Sequence, residues 1–341
     1  MRYIIIGAGA IGGTVGGRLA EAGHDVVLVA RGAHGAAIRE HGLRLTTPGG
    51  TTAHRVRVVE RPAELGELSV DDVLFLAVKT QDAEAALDAW SGAPVGGPAG
   101  GGTAGELLPL ICAQNGVESE RLALRRFRRV YGMCIWLPAT HVEPGAVATA
   151  GAPYTGMLHL GVYPSGTDET AVRIAADLEK ANMIAPVVAD VPRWKYGKLL
   201  ANLANAVEAV TGLITTDEAR ALYRRARTEG ETVLTAAGID WVGEREQQET
   251  RGDRIRFAPS DGGGSSWQSL NRGTGSIEAD FLNGEIALLG RLHGVPTPVN
   301  DVLQRAANTL ARERRAPGSM TVAELTERID RAERTARADR G

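Results

Sequence analysis

The pattern of apolar and polar positions changes character once along the chain. In the first half short apolar runs alternate with helical periods. Tyr3 to Ile6, Val26 to Val29 and Val73 to Ala77 read as strands, with a helix over 10–22 between the first two and another over 82–90 after the third. Strands separated by helices are the signature of a parallel sheet with crossover connections. Leu107 to Ala113 continues the series as a buried strand, and Val130 to Leu137, Val142 to Thr149 and Met157 to Val162 are expected as antiparallel additions. A helix over 169–180 and a strand over 185–189 close this half. The glycine-rich stretch 92–105 has no apolar period and reads as a flexible surface loop.

From Pro192 onward helical periods dominate, and a Gly/Ser cluster at 260–266 separates helices. The change places a domain boundary near residue 190, giving an α/β domain over 1–190 and a helical domain over 191–341. The second domain ends in a charge-rich helix that starts after Thr321, with Thr321 and Glu324 spelling a capping box, and runs to about Arg337.

Composition narrows the function. With 341 residues, 43% apolar and 23% charged, the chain is long and apolar enough for two packed domains. A net charge of -3 argues against nucleic acid as a partner, and Arg125, Arg126, Arg128 and Arg129, with only Phe127 among them, read as a solvated basic face. No run reaches the roughly 18 apolar residues that span a bilayer. MRYIII is interrupted too early for an export signal, so no membrane and a cytoplasmic setting are expected. The only cysteines, Cys112 and Cys134, lie in apolar runs and read as buried thiols in a reducing compartment. The seven histidines are scattered, and no metal site is expected.

Candidate chemistry begins at Gly7-Ala8-Gly9-Ala10-Ile11-Gly12, directly after the first strand and at the start of a helix. In this spelling Gly7 allows the tight turn, Gly9 lets a pyrophosphate approach the backbone, and Gly12 lets the helix pack closely on the sheet. The first domain is therefore expected to be Rossmann-type, with a mostly parallel sheet. At the end of the second strand, where an acid would bond the ribose of NAD, the chain has Arg31, which can pair with a 2'-phosphate; NADP(H) is favoured. Lys79 and Asn115 stand just beyond the carboxyl ends of other strands, where such sheets bind ligands.

The second half carries an inverted amphipathic helix. Lys195, Lys198, Asn202 and Asn205 fall on one narrow face, and Leu199, Leu200, Leu203, Val207 and Val210 cover the rest. A helix apolar nearly all round is expected to be buried, so its polar stripe needs partners, and a ligand is the simplest supplier. A lysine suits ketone reduction because hydride arriving at carbon leaves negative charge on oxygen, which an ammonium can stabilise and protonate. Ser266 and Glu278 are spaced so that a loop and a helix start could bring them together.

Together GAGAIG at 7–12, Arg31, Lys79, QNGVE at 114–118, KLLANLANA at 198–206, SSW at 265–267, IEADFLNGEI at 277–286 and HGVPTPVND at 293–301 resemble the ketopantoate reductase (2-dehydropantoate 2-reductase) family. The resemblance implies a Rossmann-type domain, a helical C-terminal domain, and NADPH-dependent reduction of 2-dehydropantoate to (R)-pantoate in pantothenate and coenzyme A synthesis. By position it implies Lys198 as general acid, Asn115, Asn202, Asn205 and Ser266 on the substrate, Asn115 also on the cofactor, and Glu278 touching cofactor and substrate or orienting the lysine. Asn205 stands seven residues after Lys198, where the family usually has eight, and Met133-Cys134-Ile135-Trp136-Leu137-Pro138 is bulkier than the family's Thr- and Gly-rich stretch. A reductase of a different 2-oxo acid, and a non-catalytic NADP(H) sensor, stay open at this point. The expected partner is a small 2-oxo acid, with a homodimer left open.

Overall fold

A computed structural model describes residues 1–97, 101–257 and 263–338. Its contacts divide the chain into two compact units, Met1–Lys195 with Gly243–Pro259, and Tyr196–Val242 with Ser260–Gly341. The strands, all in the first unit, are β1 (Arg2–Ile6), β2 (Asp25–Val29), β3 (Leu43–Thr47), β4 (Gly50–His54), β5 (Arg57–Val59), β6 (Leu68–Ser69), β7 (Asp72–Leu76), β8 (Pro94–Gly96), β9 (Gly102–Thr103), β10 (Pro109–Cys112), β11 (Arg129–Trp136), β12 (Ala139–Glu143), β13 (Ala146–Thr149), β14 (Gly151–Pro153), β15 (Met157–Val162) and β16 (Ile255–Phe257). Its helices are α1 (Ala10–Glu21), α2 (Gly32–His41), α3 (Thr80–Ser91), α4 (Ala104–Leu107), α5 (Glu118–Leu124) and α6 (Glu169–Lys180). Helix α7 (Val191–Asn202) begins in the first unit and ends in the second, which holds α8 (Ala204–Thr211) and α9 (Asp217–Ala236). After α10 (Glu244–Arg251), which belongs to the first unit, come α11 (Ser265–Asn271), α12 (Asn283–His293), α13 (Pro298–Arg312) and α14 (Val322–Ala338).

In the first unit seven strands form a sheet in the order β15-β11-β10-β7-β1-β2-β5. Every neighbouring pair is parallel except β11 with β15. The runs Tyr3–Ile6 and Val73–Leu76 are apolar at successive positions because both faces of the sheet are covered: Tyr3, Ile5, Val73 and Phe75 join one core, Ile4, Ile6, Leu74 and Leu76 the other.

Several expectations are corrected. β11 is not an antiparallel addition but continues the parallel series after α5, and only β15 runs the other way. Val142 to Thr149 is not one strand; it is split by the Gly145 turn, where φ is +81°, into parts of the hairpin β12–β13. Residues 185–189 make no strand. Val187 touches β15 through one isolated bridge and Ile184, just before the stretch, through another, and Pro186 between them, which has no N–H, interrupts the ladder. The stretch 92–105 is not a plain loop: β8 and β9 pair with each other, β6 pairs with β8, and α4 follows, while residues 98–100 lie outside the described residues. Residues 243–257, read from sequence as part of the helical half, pack with the first unit instead, where β16 pairs with β14 and Ile255 packs on Met157 and Ile184.

Helix α1 lies between the main sheet and a second sheet of order β12-β13-β3-β4. Two glycines serve each side. A Cβ on Gly12 would stand 2.0 Å from the Gly7 carbonyl oxygen and 2.8 Å from Ile5, and one on Gly16 would stand 2.8 Å from Leu28 Cδ2. On the opposite face a Cβ on Gly13 would meet Val147 at 2.9 Å, and one on Gly17 would meet Leu45 at 3.2 Å.

The second unit packs helices around Leu199, Leu200, Leu203, Val207 and Val210, all fully buried. Glu229 of α9 caps α13: its carboxylate accepts from the Val299 and Asn300 N–H groups at 3.1 and 2.8 Å and from Asn300 Nδ2 at 2.7 Å. Burial outweighs these donors and pushes the Glu229 carboxyl up to about 7. The capping box forms as expected, with Thr321 N donating to Glu324 Oε2 at 2.8 Å and Glu324 N donating to Thr321 Oγ1 at 3.2 Å. Helix α14 buries Leu325 and Ile329 and holds Arg225 with Asp330 and Glu333. Among the described residues no helix is long and apolar enough to cross a membrane.

Two measurements check this packing. Gly12→Ala sets a methyl against a backbone oxygen that cannot move aside, and it should cost about 3 kcal/mol in urea unfolding. Gly16→Ala meets side-chain atoms alone, Leu28 Cδ2 at 2.8 Å and Ile5 Cγ1 at 3.3 Å, and regains helix propensity, so it should stay within about 1 kcal/mol of the parent; equal losses would contradict the account. For Glu229, the folded state keeps a proton up to about pH 7 that the unfolded chain releases near the ordinary carboxylate value. Stability should therefore fall as pH rises through this window, by at most about 1.4 kcal/mol per pH unit from this group. Glu229→Gln should flatten that slope, and an unchanged slope would show that another group carries it.

Candidate functional site

The turn from β1 into α1 is built as the sequence suggests. Gly7 has φ +102°, and a Cβ there would strike Val78 at 2.8 Å. Gly7 N and Ala8 N donate to the Val29 carbonyl at 3.2 and 3.3 Å, which ties the loop to the end of β2. Gly9 is the N-cap of α1: no side chain caps the helix, its first turn has no acid, and a Cβ on Gly9 would meet nothing within 4 Å. The N–H groups of a helix's first turn lack intrahelical partners, and here, with open space over Gly9, they fit a phosphate-bearing group, whose negative charge the helix N-terminus favours. Arg31 is exposed and is the N-cap of α2, whose first turn is also free of acids. Lys79 is half-buried as the N-cap of α3.

His34 ties this loop to the second sheet. Its Nδ1 accepts the Gly145 N–H at 3.0 Å, so its Nε2 carries the proton and donates to the Ala8 carbonyl at 2.7 Å. The His141 ring sits against it, with Nε2 3.1 Å from the same Nδ1.

Just beyond β10, Gln114 is 5% exposed, and neither its Oε1 nor its Nε2 has a partner. Asn115 is half-buried beside it, and Gly116 takes φ +77°. A buried amide with both ends unsatisfied at a strand's carboxyl end is a place for ligand polar atoms. Farther along, Glu120 of α5 forms an ion pair with Lys195 of α7, both buried. Burial pushes the Glu120 carboxyl up, and Lys195 pulls it back. Burial, and then the charge on Glu120, push the Cys112 thiol well above its usual range, so it is an inert neighbour.

The polar stripe of the second half is divided by the structure. Helix α7 ends at Asn202, α8 starts at Ala204, and Leu203 lies between them. Lys195, expected on the stripe, is spent in the first unit on Glu120. Lys198 and Asn202 are half-buried one turn apart on α7, and the Asn202 Nδ2 atom is buried with no partner. Asn205 of α8 donates to Ser265 Oγ at 3.4 Å, which brings α8 to the start of α11, where Ser266 is 2% exposed. Glu278 is buried just before a short 3-10 turn, Ala279–Phe281.

Two residues, Glu208 and His34, were missed from sequence. Glu208 accepts the Gly264 N–H at 2.8 Å and so seats the start of α11, although nothing in its helical position announces a partner 56 residues away. His34 looked like a helix residue among many. Trp136, singled out in the bulky stretch 133–138, packs on Met157, Ile184 and Ile255, with the Arg251 guanidinium 5.8 Å from its ring centre. Among the described residues no group of three or more His, Cys, Asp or Glu side chains is placed to hold a metal ion.

Comparison with known proteins agrees with this layout. Residues 3–164 match the family described as ketopantoate reductase PanE/ApbA, and residues 190–311 match its C-terminal domain. A 2-dehydropantoate 2-reductase of Mesorhizobium japonicum is 30% identical over 344 aligned residues, covering 92% of this chain and 99% of that protein. A PanE/ApbA family ketopantoate reductase from Ralstonia eutropha superposes with a TM-score of 0.75 at 26% identity, over 92% of this chain and 99% of the other. A D-mandelate dehydrogenase solved with NADH and anilino(oxo)acetate shares the fold at TM-score 0.76 and 22% identity, again over 92% and 99%. The chain therefore belongs to the ketopantoate reductase family, oxidoreductases that act on a ketone or its alcohol with a nicotinamide cofactor.

Proposed function

We propose that this protein reduces a 2-oxo acid with NADPH, and that the substrate is 2-dehydropantoate, giving (R)-pantoate for pantothenate synthesis. The observation that carries the reading is the pair Lys198 and Asn202. They stand one turn apart on a helix whose leucines are fully buried, and the Asn202 Nδ2 atom is buried without a partner. A relative named 2-dehydropantoate 2-reductase that aligns over nearly the whole chain supports the choice of substrate.

The first unit, with the glycine loop, serves as the cofactor domain and supplies Asn115, and the helical second unit supplies the other substrate-handling residues. When bound, the nicotinamide supplies hydride to the carbonyl carbon. The ammonium of Lys198 stabilises the charge developing on the carbonyl oxygen and gives it a proton. Asn115, Asn202 and Ser266 hold the substrate's polar groups, with Asn205 acting on the start of α11 through Ser265. Glu278 orients the lysine or contacts cofactor and substrate. Gly7, Ala8, Gly9, Ala10, Ile11 and Gly12 cradle the pyrophosphate, with Arg31 on the 2'-phosphate and Lys79 adding positive charge. The buried thiols of Cys112 and Cys134, neither in a disulfide, suit a reducing cytoplasm.

An NADPH-oxidation assay over branched and aromatic 2-oxo acids tests the substrate, with the highest kcat/KM expected for 2-dehydropantoate. A flat profile with no turnover would point instead to a non-catalytic sensor. Lys198→Ala should lower kcat by roughly 10²- to 10⁴-fold and change NADPH binding by less than about threefold, because its work belongs to the transition state. Arg31→Ala should raise KM for NADPH roughly tenfold or more and leave KM for NADH nearly unchanged. Equal effects on both cofactors would remove Arg31 from the 2'-phosphate.

A further inference from the structure

We propose that the buried ion pair between Glu120 and Lys195 is a positioning device for Lys198, setting the rotation and register of α7 so that the lysine one turn on reaches its working place. The inference rests on the catalytic reading of Lys198. Both partners belong to the first unit, and they join segments 75 residues apart in sequence, with side chains 0% and 3% exposed.

Stability alone is a poor reason for such a pair. Stripping two charges of water costs about as much as their attraction returns, and apolar residues of the same volume often serve as well. Here the compensation is also incomplete, since Glu120 Oε2 has no hydrogen-bond partner. What an ion pair gives that apolar packing does not is direction.

Helix α7 needs direction. Val191, Leu199 and Leu200 are all fully buried, and packing among such side chains sets the rotation of a helix only loosely. Lys195, Lys198 and Asn202 fall within an arc of about 60°, and Lys198 stands about 4.5 Å along the axis from Lys195. A rotation of about 20° would swing a group at the rim of the helix by about 2 Å. Catalytic geometry tolerates about 0.5 Å. A bond on that same face, one turn before the lysine, restrains this motion directly.

Two further contacts hold the same turn, Arg193 on the far side of the helix and Trp194 about 40° beyond Lys198, and neither places a charged bond within the arc itself. Arg193 makes a two-pronged pair with Glu246 at 2.7 and 2.8 Å, and Trp194 stacks on His159 with ring centres 3.8 Å apart. The other end of the pair is equally placed, because Glu120 follows the Gln114–Asn115 corner on the first turn of α5. One contact thus ties the first turns of α7 to the first turn of α5 within the first unit.

The test uses the double variant Glu120→Gln/Lys195→Met, which keeps volume and leaves no lone buried charge, alongside Lys195→Arg, which keeps a cation facing Glu120. The whole chain is assayed for thermal unfolding, NADPH binding by fluorescence, and turnover with its best 2-oxo acid. Expected for the double variant are a melting temperature near the parent's, NADPH affinity within about threefold, and kcat lower by about tenfold or more. The arginine variant should regain most of the rate. A folded double variant with parental kcat, a loss of rate that merely tracks loss of folding or of NADPH binding, or a folded arginine variant as slow as the double variant would each overturn the proposal. Lys198→Ala, run in parallel, reports on the catalytic reading by itself: full turnover there would remove that reading and this inference with it.

Discussion

The first unit depends on how closely the backbone of α1 can approach the strands beneath it. At Gly12 the space left for a side chain is filled by the Gly7 carbonyl, Ile5 and Ala77, so the turn from β1 into the helix closes only when that position is bare. The helix accepts four glycines, each costing about 1 kcal/mol in propensity against alanine. Their placement explains the cost. Gly12 and Gly16 let α1 sink onto the main sheet, while Gly13 and Gly17 let the second sheet close over its other side. The loop at the helix start is thereby fixed from three directions: Val29 from the strand end, Val78 from β7's continuation, and His34 from α2.

Buried charge is handled differently from place to place, and the differences separate structural roles from functional ones. Asp72, 1% exposed, is saturated by two bonds from Arg2 at 2.8 and 2.6 Å and by the Ser69 N–H at 2.8 Å. Glu229 is likewise engaged by three N–H donors at the start of α13. In both cases the acid completes local backbone or strand-end bonding, and removing it would be felt chiefly as lost stability. Glu120 is the exception, with one oxygen on Lys195 and the other unsatisfied. A residue kept in that state is better explained by what it orients than by what it stabilises.

Much of the first unit was legible because the physics is local. Runs such as Tyr3–Ile6 are apolar at consecutive positions only when both faces of a strand are covered, and the glycine loop can be recognised from its neighbours in sequence. β3 and β4 went unread because Leu43-Arg44-Leu45-Thr46-Thr47 buries only alternate residues and Gly50–His54 is largely exposed, so neither shows a strong apolar run. The Pro48-Gly49 turn between them was the available signal. The assignment of residues 243–257 to the first unit had no local signal at all, since it depends on β16 meeting β14 about a hundred residues earlier in the chain. The polar stripe was half legible: helical spacing groups Lys195 with Lys198, but it cannot say that one of the two is committed to Glu120.

The unsatisfied atoms show where this protein's own interactions run out. An amide buried without a partner costs about 1–3 kcal/mol, and folded chains keep few of them. Gln114, with both ends of its amide unpaired, and Asn202, with its Nδ2 atom unpaired, each stand beside a residue suited to ligand binding, Asn115 in one unit and Lys198 in the other. Neither is exposed enough for water to serve as easily as it serves Arg31. On the proposed function these two gaps are places for the polar atoms of a substrate and cofactor, whereas Asp72, Glu229 and the start of α14 are satisfied within the chain. The stability forgone at these two positions becomes binding energy once a ligand supplies the missing bonds.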